Sequence, residues 1–250
     1  MPSVLGVNLA VSSYDQLVEK CINWSRANEP RTVFFATVHM LMEAHDSARF
    51  RSGLNAADMV NTDGVPLVWA LRALGHKDAR RVYGPDSTEV LLRAAQETGI
   101  PIGLYGGTEE TLAKLVSEAE KHYPGIQIAF KMSPPFRKLS DDEDNEIVRQ
   151  ISNSGARWLF VGLGCPKQEN WIFNHRDRLP VVMLGVGAAF DFIAGSKAQA
   201  PRWMMRNGLE WLFRLVCEPR RLAGRYLKHN PRFVFLFLRQ WMTRDMARAS

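Results

Sequence analysis

The chain has no apolar run long enough to cross a bilayer. The longest in its C-terminal part, Phe233 to Leu238, is six residues, where a helical span takes about twenty. Its three cysteines, Cys21, Cys165 and Cys217, are odd in number and far apart, which argues against a disulfide framework and for reduced thiols. No basic segment precedes the apolar residues of the N-terminus, so no secretory signal is expected and a cytoplasmic location is. No helix-turn-helix, zinc-finger or RNA-binding sheet signature is present, so nucleic acid is not an expected partner. With 250 residues and 46% hydrophobic content, the chain is long enough to bury a full core.

Charge is distributed unevenly. Residues 201–250 hold eleven Lys or Arg against Glu210, Glu218 and Asp245, a net of +8, so the other 200 residues carry −2 of the total of +6. The same segment contains Trp203, Trp211, Phe213, Tyr226, Phe233, Phe235, Phe237 and Trp241. Arginine interleaved with aromatics suits a surface that meets phosphate and hydrocarbon together, as at an anionic membrane or a lipid diphosphate. A basic helix pair closing an ordinary core has the same composition.

Upstream, short β-rich runs alternate with stretches of helical period. The runs predict strands at 32–36, 59–62, 102–105, 126–130, 158–162 and 181–185, and helices near 14–27, 39–52, 65–74, 87–98, 108–122, 142–153 and 167–176. That alternation predicts an α/β fold: a Rossmann-like, mostly parallel sheet with helices on both faces. After Pro201 the pattern is helical only, with pieces over 202–217, after Pro219 and from Pro231, since prolines often open helices. The expected organisation is an α/β core over 1–200 and a basic, aromatic helical appendage over 201–250.

Four predicted strands run directly into glycine or small polar residues and then a helix: Ala36-Thr37, Thr62-Asp63-Gly64, Tyr105-Gly106-Gly107-Thr108 and Gly162-Leu163-Gly164-Cys165-Pro166. Ligands of open α/β sheets gather at such strand ends, where helix N-termini offer free N–H groups. Lys167 stands where a dinucleotide fingerprint needs its third glycine, which disfavours NAD, and no Walker lysine follows Gly106-Gly107. His39, Glu43 and His45 lack the spacing of a metal motif, and the acids from Asp141 to Asp144 read as the first turn of a helix; no metal is expected. Cys165 reads as a nucleophile or as a small buried residue. Asp63, after a strand and before a helix start, suits either a catalytic carboxylate or a cap.

Jointly, several segments resemble the WecG/TagA/CpsF glycosyltransferases, which make bacterial surface polysaccharides. They are Thr37 after a strand; Ala57-Asp58-Met59-Val60-Asn61-Thr62-Asp63-Gly64; Val82-Tyr83-Gly84-Pro85-Asp86; Gly103-Leu104-Tyr105-Gly106-Gly107; Gly162 through Glu169; Gly185 through Phe192; and Ala200-Pro201-Arg202-Trp203, continuing through Gly208-Leu209-Glu210-Trp211 and Arg214 to Glu218-Pro219-Arg220-Arg221 and Arg225-Tyr226. The resemblance implies an inverting transfer of a sugar, often N-acetylmannosamine, from a UDP donor to a polyprenyl-diphosphate-linked sugar. It implies no metal, and no cofactor is expected.

Carried onto this chain, the resemblance makes Asp63 the general base, and Thr37 and Gln168 the groups that position sugar or diphosphate. Arg214 and Arg221 would meet the charge on departing UDP, as guanidinium binds phosphate bidentately. His39, Asn61, Gly84, Asp86, Gly106, Gly107, Gly162, Gly164, Lys167, Gly187, Phe190, Asp191, Arg202 and Arg225 are the expected substrate-binding residues. Relatives commonly read Thr-x-Asn where this chain has Thr37-Val38-His39, so the donor sugar is open, as is the choice between Arg220 and Arg221. The expected location is the cytoplasmic face of the inner membrane, held peripherally by anionic lipid, and a homo-oligomer is left open. The rival readings are an oxidoreductase or methyltransferase on a similar fold, and a non-catalytic membrane-associated protein.

Overall fold

The computed structural model describes the backbone of residues 1–249 and the side chains of residues 1–243. Ser250 and the side chains of Arg244, Asp245 and Arg248 lie outside them. A two-stranded antiparallel hairpin, β1 (Ser3–Val4) and β2 (Val7–Asn8), precedes α1 (Tyr14–Arg26). The elements β3 (Arg31–Ala36), α2 (Val38–Asp46), α3 (Ala48–Asn55), β4 (Met59–Thr62), α4 (Val65–Ala73) and α5 (Gly84–Thr98) follow. Then come β5 (Ile102–Gly106), α6 (Glu109–His122), β6 (Ile128–Met132), α7 (Asp141–Asn153), β7 (Trp158–Gly162), α8 (Lys167–His175), β8 (Val182–Gly185) and α9 (Ala189–Ile193). The chain ends in α10 (Arg202–Arg206), α11 (Glu210–Cys217) and α12 (Pro219–Ala249).

Strands β3 to β8 form one parallel sheet in the order β4-β3-β8-β7-β5-β6. Both faces are buried, because successive strand side chains point to opposite sides. Val33 and Phe35, Trp158 and Phe160, and Val182 and Leu184 enter the core beneath α1, α5, α6 and α9. Phe34, Leu159, Val161 and Met183 enter the other, beneath α2, α3, α4, α7 and α8. This is the expected α/β architecture, with its strand ends gathered on one edge.

Local chemistry explains where the elements differ from the sequence reading. The helix expected over 39–52 breaks at Ser47, whose backbone is extended and whose hydroxyl accepts from the Phe50 N–H, so it starts a new helix. The helix expected over 202–217 is interrupted at Gly208, whose φ of +71° suits a residue without a Cβ. Pro231, expected to open a separate helix, lies inside α12. An internal proline forfeits a backbone hydrogen bond. Contacts on either side hold the helix there: Leu222, His229 and Phe233 are buried, Arg232 donates to Asp46 at 2.6 Å, and the Gln240 amide donates to the Ser3 carbonyl at 3.0 Å and accepts from the Leu5 N–H at 2.8 Å.

Candidate active site

Asp63 sits just past β4, where Gly64 opens α4. Its Oδ2 accepts from the Gly84 N–H at 3.2 Å, at the free N-terminal end of α5, and its Oδ1 lies 3.4 Å from an Arg81 Nη2. Arg81 also donates through Nε to the Asp63 carbonyl at 2.5 Å. Burial pushes the Asp63 carboxyl up to about 6; Arg81 opposes the shift, Glu210 adds to it, and the Gly84 N–H and Arg214 oppose it. A carboxylate tuned toward neutrality can accept a proton and later release it.

Three residues around Asp63 were not singled out by sequence reasoning as site residues. Glu210 of α11 is buried; it accepts from Arg81 at 2.5 Å and from the Tyr83 hydroxyl at 2.9 Å, and the Arg81 guanidinium lies 4.0 Å from the Tyr83 ring centroid. This cluster ties the C-terminal helices to the end of β4. A signal for it existed in the sequence: Glu210 is one of three acids among the last fifty residues, and an acid in a strongly basic segment often has a structural partner.

The cleft above Asp63 has a volume of about 250 Å³ and is walled on one side by strand ends and on the other by α11 and α12. Thr37, His39, Gly164, Gln168 and Gly187 line the first wall, and Arg214, Arg221 and Arg225 the second. Thr37 caps α2, its hydroxyl accepting from the Met40 N–H at 3.4 Å. The Gln168 amide is fixed on both sides, accepting from the Gly187 N–H at 2.9 Å and donating to Glu169 at 2.7 Å. Glu169 is fully buried, and burial pushes its carboxyl up to about 7. Gly187 adopts φ +58°, which permits that N–H to reach the amide.

On the helical wall Arg221 borders the cleft and Arg220 does not, although both are exposed. Arg221 is held by Glu218, one turn earlier, at 2.7 Å. Among the described residues Arg214 has no acidic partner; its guanidinium lies 5.6 Å from the Phe192 ring centroid. Arg225 has no acidic partner either, and burial lowers its affinity for its proton. Its Nη1 is 3.5 Å from the His39 Nδ1. Burial, reinforced by Arg225, lowers His39 to about 4, so the ring is neutral at physiological pH.

Other expected site residues fall elsewhere. Asn61 is fully buried beneath the sheet end, accepting from Ser12 and donating to the Phe34 carbonyl. Gly106, Gly107 and Gly162 do not line the cleft: a Cβ on Gly106 would lie 2.6 Å from the Gly162 backbone, and one on Gly162 would lie 2.6 Å from the Phe190 ring. These glycines, and the buried Phe190, let strands and α9 approach closely. Lys167 is exposed and Asp191 is paired with Lys197 at 2.6 Å, both outside the cleft. Asp86 and Arg202 pair at 2.8 Å in a neighbouring depression of about 420 Å³, which shares Val65, Arg81 and Tyr83 with the cleft. Cys165 is half-buried and lines the cleft; its thiol is raised above its usual range by burial and by Glu169, which does not fit a nucleophile.

The model of the glycosyl transferase WecG/TagA/CpsF family matches residues 2–247. The chain belongs to that family and is a glycosyltransferase. It is similar to N-acetylglucosaminyldiphosphoundecaprenol N-acetyl-beta-D-mannosaminyltransferases: 29% identical over 213 residues to that of Bacillus spizizenii, covering 85% of this chain and 80% of the relative. Identity to the Bacillus subtilis protein is 33% over 170 residues, 66% of this chain and 63% of the relative. The Staphylococcus aureus protein is 28% identical over 235 residues, 93% of this chain and 90% of the relative.

Proposed function

We propose that the chain transfers a sugar, with inversion, from a UDP-sugar to a sugar carried on a polyprenyl diphosphate, in the assembly of a bacterial surface polysaccharide. The observation that carries the reading is the meeting in one cleft of a carboxyl tuned to about 6 and three arginines contributed by the C-terminal helices. Asp63 removes the proton from the acceptor hydroxyl as that oxygen attacks the anomeric carbon. The bond from that carbon to the diphosphate breaks, and UDP leaves with the electron pair. Arg214, Arg221 and Arg225 take up the charge that develops on it, so no divalent cation is needed at the diphosphate. Thr37, Gln168 and the N–H-rich turn at Gly187 border the sugar. The substrate class is supported by the relatives' names, each of which specifies a diphosphoundecaprenol acceptor.

The division of labour is a core over 1–200 that holds the base, and helices over 201–250 that carry the arginines to a membrane surface from the cytoplasmic side. Among the described residues, ten of the fourteen large apolar side chains left exposed lie beyond residue 200, including Trp203, Val216, Leu227 and Phe235. No helix among the described residues is long and apolar enough to cross a membrane. Exposed apolar groups beside a net charge of +8 favour lying on an anionic surface. The test is a panel of UDP-sugars offered with undecaprenyl-diphosphate-N-acetylglucosamine, read as UDP release and as the mass of the extended lipid. UDP release with at least one donor, dependent on the lipid acceptor, is expected; silence across the panel overturns the reading.

A further inference from the structure

His39 and Glu43 occupy successive turns of α2, and His229 reaches them from α12, 190 residues further along the chain. One donor atom from each of the three lies within 4.8 Å of the other two. His39 Nε2 and Glu43 Oε1 are 3.3 Å apart, and the rings of His39 and His229 meet edge to face at 5.2 Å between centroids. Metal–ligand bonds of about 2.0–2.2 Å in a tetrahedral site put neighbouring donors roughly 3.3 Å apart, so the first pair already has the needed spacing. The third needs a small side-chain rotation.

His229 supplies an independent observation. It is 5% exposed, and its Nδ1 is buried without a hydrogen-bond partner. Leaving such an atom unpaired costs about 1–3 kcal/mol, so a polar occupant is favoured there. Ordinary packing of two histidines accounts for the ring contact but leaves that nitrogen unsatisfied.

We infer that His39, Glu43 and His229 form a binding site for a divalent transition-metal ion of the zinc class, which fastens α12 to α2 beside the cleft. Two imidazoles and one carboxylate suit zinc, cobalt, nickel or copper, whereas magnesium and calcium prefer sets made only of oxygen. Three protein ligands leave the fourth position to water or to an anionic oxygen entering the cleft. Ligation through His39 Nε2 leaves the ring proton on Nδ1, which then no longer accepts from Arg225. Arg225 is thereby released toward the cleft, so metal binding and the placing of that guanidinium are coupled. His39 and His229 line the same cleft as the three arginines, but no arginine is a ligand of the ion.

The experiment uses the full chain, stripped with a chelator and titrated with zinc chloride by calorimetry, and with cobalt chloride by visible absorption. One equivalent of zinc, a cobalt spectrum of low-coordinate type, and a zinc-dependent rise in unfolding temperature are expected. His229→Gln and Glu43→Gln should each weaken zinc by at least about tenfold, with far-UV circular dichroism unchanged. Glu43→Gln guards against a folding defect in the more buried variant, because its side chain is one-third exposed. His45→Ala, on the same helix but outside the trio, should bind zinc as the parent does. Absence of zinc binding by the parent overturns the inference. So does parental affinity in both His229→Gln and Glu43→Gln, which would mark an adventitious ion, or loss of binding in His45→Ala.

Discussion

The two walls of the cleft are built differently. On the strand-end wall each polar group is held by backbone or by a neighbour: Asp63 by the Gly84 N–H and Arg81, Gln168 by the Gly187 N–H and Glu169, and Thr37 by the N-terminus of α2. On the helical wall Arg214 and Arg225 have no acidic partner among the described residues, and α11 and α12 leave much of their apolar surface exposed. A base works from a fixed position, because proton transfer requires hydrogen-bonding distance. A cationic wall that must admit a bulky diphosphate can be completed by its substrate, and unpaired guanidinium groups are ready to receive it.

Removing the helical wall tests this contrast most severely. Of the buried members of the two main cores only Phe233 comes from beyond residue 201, with the partly buried Leu236 and Phe237 packed against the same core. A chain ending at Ala200 should therefore retain a cooperatively unfolding α/β core by circular dichroism, yet neither sediment with anionic liposomes nor transfer sugar. Loss of cooperative unfolding would mean that the helices complete the core.

Loss of the proposed base should come next in size. Asp63→Asn keeps the shape and the Gly84 contact but cannot accept a proton, so turnover should fall by roughly 10²–10⁴-fold with UDP affinity little changed in a direct binding assay. Turnover near that of the parent would remove Asp63 from the role. On the opposite wall, Arg214→Ala should lower kcat/KM by roughly ten- to a hundredfold, the range for one charge-assisted hydrogen bond. It should leave liposome binding intact, because ten other basic residues remain beyond residue 200. Unchanged kcat/KM in both Arg214→Ala and Arg221→Ala would confine the helices to a packing or membrane role.

The strand-end wall was more legible than the helical one, for a physical reason. At Thr37 and Asp63 a strand runs within a residue or two into a helix, so local pattern placed these two at the cleft; Gln168, just past the Gly162–Pro166 turn, came from the family resemblance. The cluster around Asp63 depends on contacts between residues 81 and 210, 129 positions apart, and the histidine pair joins residues 39 and 229. No local periodicity encodes such meetings. The glycines of the Gly106 and Gly162 turns divide: Gly106 and Gly162 lack side chains because the Gly162 backbone and the Phe190 ring, respectively, approach within 2.6 Å of where a Cβ would lie, whereas Gly164, with φ +77°, lines the cleft. The charge count marked residues 201–250 as a separate surface, while Pro231 suggested a break that packing against α2 and the β1–β2 hairpin overrides.

The smallest effect should appear in the pH profile, and it links the two walls through Glu210. With the Asp63 carboxyl at about 6, the ionised, proton-accepting form prevails above that pH and is lost below it. Lowering the pH from 7 to 6 should therefore reduce kcat/KM by about twofold, from 6 to 5 by about fivefold, and each further unit by nearly tenfold. Burial is the main cause of the raised value, and the Glu210 charge adds to it, while Arg81 opposes it. Glu210→Gln removes the neighbouring negative charge and loosens the Arg81 contact, leaving that guanidinium freer to pair with Asp63. Both changes favour the carboxylate, so the acid limb should move to lower pH. Rates measured from pH 4.5 to 8 on parent and Glu210→Gln enzymes check this. A limb that stays in place in a folded variant, or moves to higher pH, would show that the helical wall does not tune the base.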